Sequence, residues 1–176
     1  MFKKLFVVLV FSLCFVNLKA DSLTPEIASL AEAGVKAIYG LDFNEADRNI
    51  NAILETNPDY PLALFGKTMI EWSRFEYEYE KSNKAQAAVF EKSINASIDG
   101  IKKWMKTNEE DAQTYLSLGG LYGIKARFEL ANKNYVKAYF SGKKGLKFMN
   151  KAAKLNPEMY DAYLAKTFTT AGKVPA

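Results

Sequence analysis

The chain has 176 residues, 49% hydrophobic and 25% charged, which is the composition of an ordinary globular protein and excludes a disordered one. It has no histidine and one cysteine, Cys14, so Ser-His-Asp and Cys-His triads and the usual His/Cys metal sites are excluded. The formal charge of +4 shrinks once Lys3, Lys4 and Lys19 are assigned to a leader: 21 basic residues then face 20 acidic ones, and no case for nucleic acid survives.

Residues 1–20 read as a secretory signal peptide. Lys3 and Lys4 precede an apolar run from Leu5 to Val16, and Leu18-Lys19-Ala20 supplies a cleavage site after Ala20. An uncleaved anchor is the rival reading, but a comfortable span takes about 20 apolar residues. Leu13 stands before Cys14 where a lipoprotein signal has a small residue. The sequence thus predicts an exported, periplasmic or secreted protein whose mature part, residues 21–176, has no cysteine and no disulfide framework.

From Asp21 a polar lead-in reaches Pro25, with Ser22 or Thr24 as helix cap. Ile27, Leu30, Ala31, Gly34 and Ile38 follow at helical spacing, and Gly40–Asn44 makes a tight connection. The return helix runs from Glu45 to Leu54 with Ala46, Ile50, Ile53 and Leu54 inward, and Pro58 ends it. The turn Thr56-Asn57-Pro58-Asp59 is echoed by Thr107-Asn108-Glu109-Glu110 and by Leu155-Asn156-Pro157-Glu158, each followed at one gap by an apolar or aromatic pair. The middle copy has Glu109 in place of proline.

Gly34, Ala46 and Pro58 fall at equal steps of twelve residues, and Tyr115, Leu118, Gly119 and Tyr122 give an aromatic–leucine–glycine–tyrosine series. The chain on these grounds resembles the tetratricopeptide-repeat family, built from helix–turn–helix units of about 34 residues. Asn57, Asn108 and Asn156 are 51 and 48 residues apart. The excess amounts to roughly four or five helical turns, or about two for each of a pair of helices. The second and third hairpins are therefore expected to be elongated, with helices over 62–80, 85–106, 112–131 and 135–155. Polar turns at Lys81–Lys84 and Ala131–Asn134 form the expected tips.

The expected fold is all-α: a right-handed superhelical array of antiparallel hairpins over 25–56, 60–107 and 111–155, with a terminal helix over 158–168. In the third hairpin Tyr115, Leu118, Gly119, Tyr122, Ala126 and Leu130 line one face of the first helix, and Leu121, Ile124 and Phe128 another. On its return helix Tyr135, Ala138, Tyr139, Gly142, Leu146, Met149 and Ala153 are expected inward.

No chemistry for catalysis, metal or cofactor stands out. Gly119-Gly120-Leu121-Tyr122-Gly123 lacks the Lys-Ser/Thr of a phosphate loop, and Glu109-Glu110-Asp111 reads as a helix N-terminal turn. Asn95-Ala96-Ser97 fits a glycosylation triplet, relevant only in a eukaryotic secretory route. Lys137, Lys144 and Lys151 recur every seven residues, with Lys147 and Lys154 beside them. This stripe is either a solvated face or a contact for anionic lipid or an acidic partner, and any membrane contact is peripheral.

The family resemblance implies a groove along the first helix of each hairpin, in which a ligand peptide lies. Its positions here are Tyr39, then Phe65, Met69 and Trp72, then Leu116, Gly120, Gly123 and Arg127, although the same residues also suit the core between hairpins. The Lys-Asn-Arg clamp that some relatives use for a terminal carboxylate is missing. The reading is a non-catalytic scaffold for a protein or peptide in the cell envelope. Its alternative is an accessory subunit of an envelope transport or assembly complex, in which the array forms a homo-oligomer.

Overall fold

The computed structural model describes residues 24–77, 84–160 and Ala162, and all regular structure among them is helical. Six helices follow one another: α1 (Pro25–Tyr39), α2 (Phe43–Thr56), α3 (Pro61–Tyr77), α4 (Lys84–Trp104), α5 (Ala112–Ala131) and α6 (Tyr135–Leu155). The leader expected over 1–20 lies outside the described residues, as do residues 81–83 of the turn expected over 81–84, whose Lys84 opens α4, and most of the terminal helix expected over 158–168. The chain divides into two compact units, Met1–Thr107 and Asn108–Ala176.

In the first unit each helix packs on its sequence neighbour, and α1 also touches α3. Thr24 caps α1, its hydroxyl accepting from the Ile27 amide at 3.3 Å, with Pro25 in the first turn where a missing N–H costs nothing. Asp42 caps α2 by accepting from Glu45 N at 2.9 Å. Ala46, Ile50 and Ile53 are the buried residues of α2, as their spacing predicts, while Leu54 is half-buried. Ile50 is the wedge of this unit. A Cβ on Gly34 of α1 would stand 3.3 Å from its Cδ1, and one on Gly66 of α3 would stand 3.0 Å away. Two glycines on two helices thus make the hole that one isoleucine fills.

The α3–α4 pair is held by apolar and polar contacts together. Phe90, Ile94, Ile98 and Ile101 recur along the buried side of α4. Phe90 joins Trp72 and Phe75 in a trio with ring centroids 5.5–5.8 Å apart. The Thr68 hydroxyl, fully buried, lies 3.0 Å from both Leu64 O and Ser97 Oγ, which satisfies it inside the core. At the rim Arg74 pairs with Asp47 at 2.7 Å, tying α3 to α2.

In the second unit Asp111 caps α5, accepting from Thr114 N at 2.7 Å and Thr114 Oγ1 at 2.6 Å. The helix runs unbroken through Gly119, Gly120 and Gly123 and is buried on more than one side: Tyr115, Leu118, Leu121, Tyr122, Ile124 and Phe128 are all enclosed. Of the positions expected inward on it, Ala126 is half-buried and Leu130 is exposed. The α5–α6 seam is set by backbone approach. A Cβ on Gly145 would lie 3.1 Å from Gly119 O and 3.3 Å from Gly123 N, and one on Gly119 would lie 2.9 Å from Met149 Cγ. Phe148 stacks on Tyr115 and Tyr122 at 6.1 and 5.7 Å.

This seam corrects the inward face expected of α6. Ala153 is buried as expected and Ala138, Gly142, Leu146 and Met149 are half-buried, but Ser141, Gly145 and Ala152 are buried as well and Tyr135 and Tyr139 face out. The helix is rotated by about a quarter turn from the expectation, because the closest approach of two backbones selects small residues and excludes tyrosines from the contact.

The two hairpin turns share one geometry. After α1, Leu41 has φ 59°, Leu41 N donates to Ile38 O and Asp42 N to Ala37 O. After α5, Lys133 has φ 61°, Lys133 N donates to Leu130 O and Asn134 N to Glu129 O. Each is the paired 5→2 and 6→1 closure of a helix C-terminus around one left-handed residue, and the next residue opens the return helix. The exit turns also match. Asn57 has φ −134° and ψ 83°, Asn156 has −135° and 96°, and each carbonyl accepts from the amide three residues on. The middle echo does not repeat this. There α4 stops at Trp104, short of the expected Lys106, and turns follow at Met105–Thr107. Without a proline after Asn108, nothing forces the shared exit.

Candidate binding surface

The eight groove positions fall into two sets on different units. On α1, Tyr39 is the last residue and is exposed. On α3, Phe65, Met69 and Trp72 share one face at steps of four and three. Phe65 is half-buried, but Met69 and Trp72 are buried, and the Trp72 ring lies against Phe75 and Phe90. On α5, Leu116, Gly120, Gly123 and Arg127 share one face in the same way. Leu116 and Gly120 are half-buried, and Gly123 and Arg127 are exposed. A Cβ on Gly123 would meet nothing within 4 Å, so open space lies beside it. Close backbone approach, expected at the glycine-rich stretch, occurs at Gly119 and Gly145.

On α5, beside this face, Gln113 and Ser117 are buried with the side-chain amide and hydroxyl unpaired. Buried polar atoms without partners are uncommon, and their spacing of four places them on one side of the helix.

A charged cluster that the sequence reading did not anticipate ties the start of α5 to the end of α6. Lys151 Nζ donates to Glu110 Oε1 at 2.6 Å and to Tyr115 Oη at 2.5 Å, and it sits 4.3 Å above the Tyr115 ring centroid. Tyr115 Oη donates in turn to Glu110 Oε1 at 2.5 Å. Bonding to Lys151, and then to Tyr115, holds the Glu110 carboxyl below its ordinary value. Burial first, and donation to Glu110 second, raise the Tyr115 phenol. The Glu110 bond, and then the Tyr115 bond, raise the Lys151 ammonium. Lys144, another residue of the heptad stripe, lies 5.6 Å from the Tyr122 ring centroid. Two of the three stripe lysines therefore contact aromatic rings of α5.

Among the described residues no three His, Cys, Asp or Glu side chains gather to hold a metal ion, and no helix is long and apolar enough to cross a membrane. Neither a protein-family model, nor a curated protein, nor a solved structure matches the chain.

Proposed function

We propose that the chain is a non-catalytic scaffold of tetratricopeptide-like hairpins, exported to the cell envelope, that binds an extended segment of a partner protein. The observation that supports this reading is the recurrence of turns. Residues 25–57 and 112–156 use the same left-handed closure at the tip and the same Asn-Pro exit, as a repeated hairpin unit would. The contact of α1 with α3 has the same sense, because in a stacked array the first helix of one hairpin meets the first helix of the next. On this reading the right-handed array presents the face of Leu116, Gly120, Gly123 and Arg127 to the partner. A side chain of the partner occupies the open space at Gly123, and Arg127 holds a carboxylate or carbonyl beside it.

Substitution of Gly123 by Leu tests this, because the space there admits a larger side chain without displacing backbone. The protein is crosslinked in the cell envelope, the captured partner identified, and its affinity for the unsubstituted and Gly123→Leu proteins compared. A melting curve like the parent's with partner affinity reduced at least tenfold is the expected outcome. Unchanged affinity in a folded variant places the binding surface elsewhere.

A further inference from the structure

The tip of the α5–α6 hairpin carries an apolar patch that nothing among the described residues covers. Leu130 at the end of α5, and Tyr135, Val136, Tyr139 and Phe140 in the first turns of α6, are each between 55% and 72% exposed. Tyr139 and Phe140 meet edge to face at 5.5 Å, so the patch is a cohesive surface. Lys133 and Lys137 flank it. Lys143 and Lys147 continue the face of Val136 and Phe140 at the steps four, three and four, about 10 Å further along the axis. These four lysines are exposed and make no ion pair with the described residues.

The charge pattern identifies the occupant. Between Leu130 and Pro157 there are seven lysines and no acidic residue, whereas residues 21–129 and 158–176 together hold 14 basic and 20 acidic ones. A return helix charged only by lysines on an otherwise negative chain is attracted to an anionic surface. A second copy docking through the same patch would bring like charges together. An apolar and aromatic tip with Lys143 and Lys147 set back by about 10 Å matches the depth of about 5–10 Å to which interfacial helices bury their apolar face. Their ammonium groups are then level with lipid phosphates, which Lys133 and Lys137 beside the tip reach along their flexible stems. We infer that the α5–α6 tip docks on an anionic phospholipid bilayer, with Val136, Tyr139 and Phe140 entering the headgroup boundary and Lys133, Lys137, Lys143 and Lys147 meeting the phosphates. This contact is separate from the partner surface proposed above and stands without it.

The test places one environment-sensitive fluorophore on the full chain in a Cys14→Ser background, at Phe140→Cys or, as reference, at Val89→Cys, an exposed position on α4. Each is mixed with phosphatidylcholine vesicles with and without phosphatidylglycerol. Emission from position 140 is expected to shift to the blue on the anionic vesicles only, with position 89 unmoved. Lys143→Gln with Lys147→Gln, both at exposed positions, should weaken partitioning by about 25-fold, each lysine near an anionic surface being worth about fivefold. No shift at position 140, or an equal shift on neutral vesicles, overturns the inference. A shift that grows with protein concentration in the absence of vesicles assigns the patch to a second copy and also overturns it.

Discussion

In the α1–α2 hairpin the seam is a single side chain: Ile50 reaches from α2 into the space that Gly34 and Gly66 leave open. In the α5–α6 hairpin it is backbone against backbone, with Gly145 over the main chain of Gly119 and Gly123. The connections that close these hairpins are nearly superposable in their hydrogen bonds and in the φ of the left-handed residue. One turn therefore serves two kinds of interface. The side-chain seam tolerates adjustment, since an isoleucine rotamer can shift, whereas the backbone seam fixes the rotation of α6 and so decides which of its residues face water.

The comparison can be broken most sharply at Ile50. Ile50→Ala empties a site bordered by two glycines that cannot refill it, and is expected to destabilise the protein by about 3–5 kcal/mol. Urea denaturation measures this, and a loss under about 1 kcal/mol would remove Ile50 from its role. Next comes a matched pair. Gly145→Ala forces a methyl to 3.1 Å from a carbonyl oxygen and should cost about 1–3 kcal/mol despite the better helix propensity of alanine. Gly34→Ala meets only the movable end of Ile50 at 3.3 Å and should change stability by less than about 1 kcal/mol. Equal effects at the two glycines would erase the distinction between the seams.

Smaller effects come from the shared turn. Leu41 and Lys133 are both non-glycine residues at positive φ, so Leu41→Gly and Lys133→Gly should each stabilise by about 0.5–1 kcal/mol, read as a higher Tm. A gain at one and a loss at the other would show that the turns differ in a way their hydrogen bonds do not reveal.

The smallest effect separates the hairpins by pH, because the first has no counterpart of the Glu110–Tyr115–Lys151 cluster among its described residues. Glu110 is lowered from 4.5, so its contribution is present above that value and is lost as pH falls. Tyr115 and Lys151 are raised from 10.0 and 10.5, so their contributions are complete below those values and fade as pH climbs through the folded ones. Lys151→Met should therefore lower Tm at neutral pH and leave the acid limb flatter than the parent's.

The helices were legible because caps and periodicity agree. Thr24-Pro25 opens α1 as its sequence suggests, and the bounds 112–131 and 135–155 were readable from the polar turn between them. Helix α2, by contrast, is capped by Asp42, runs over Phe43–Thr56 and is longer at both ends than the expected Glu45–Leu54. The face of α6 was legible only in part, at Ala153 and Met149. Periodicity assigns the largest apolar residues inward, but Ser141, Gly145 and Ala152 record a closer approach than Tyr135 or Tyr139 could allow. The same ambiguity touches the candidate surface. Apolar residues at helical spacing on α3 include Phe65, which is half-exposed, and Met69 and Trp72, which are enclosed, and spacing alone does not divide them. The Lys151 cluster joins residues 36 and 41 positions apart, and no local pattern announces such a contact.

The lysine-only charge of α6 bears on how the hairpin acquires its structure. Lys143, Lys147 and Lys151 follow one another at intervals of four, where like charges repel, and Gly142 and Gly145 add the entropy cost of glycine in a helix. Helices α1 and α2, by contrast, hold internal pairs such as Glu32 with Lys36 and Glu45 with Arg48. Cut out as a peptide, 135–155 would remain largely unfolded, so its helicity is induced by α5.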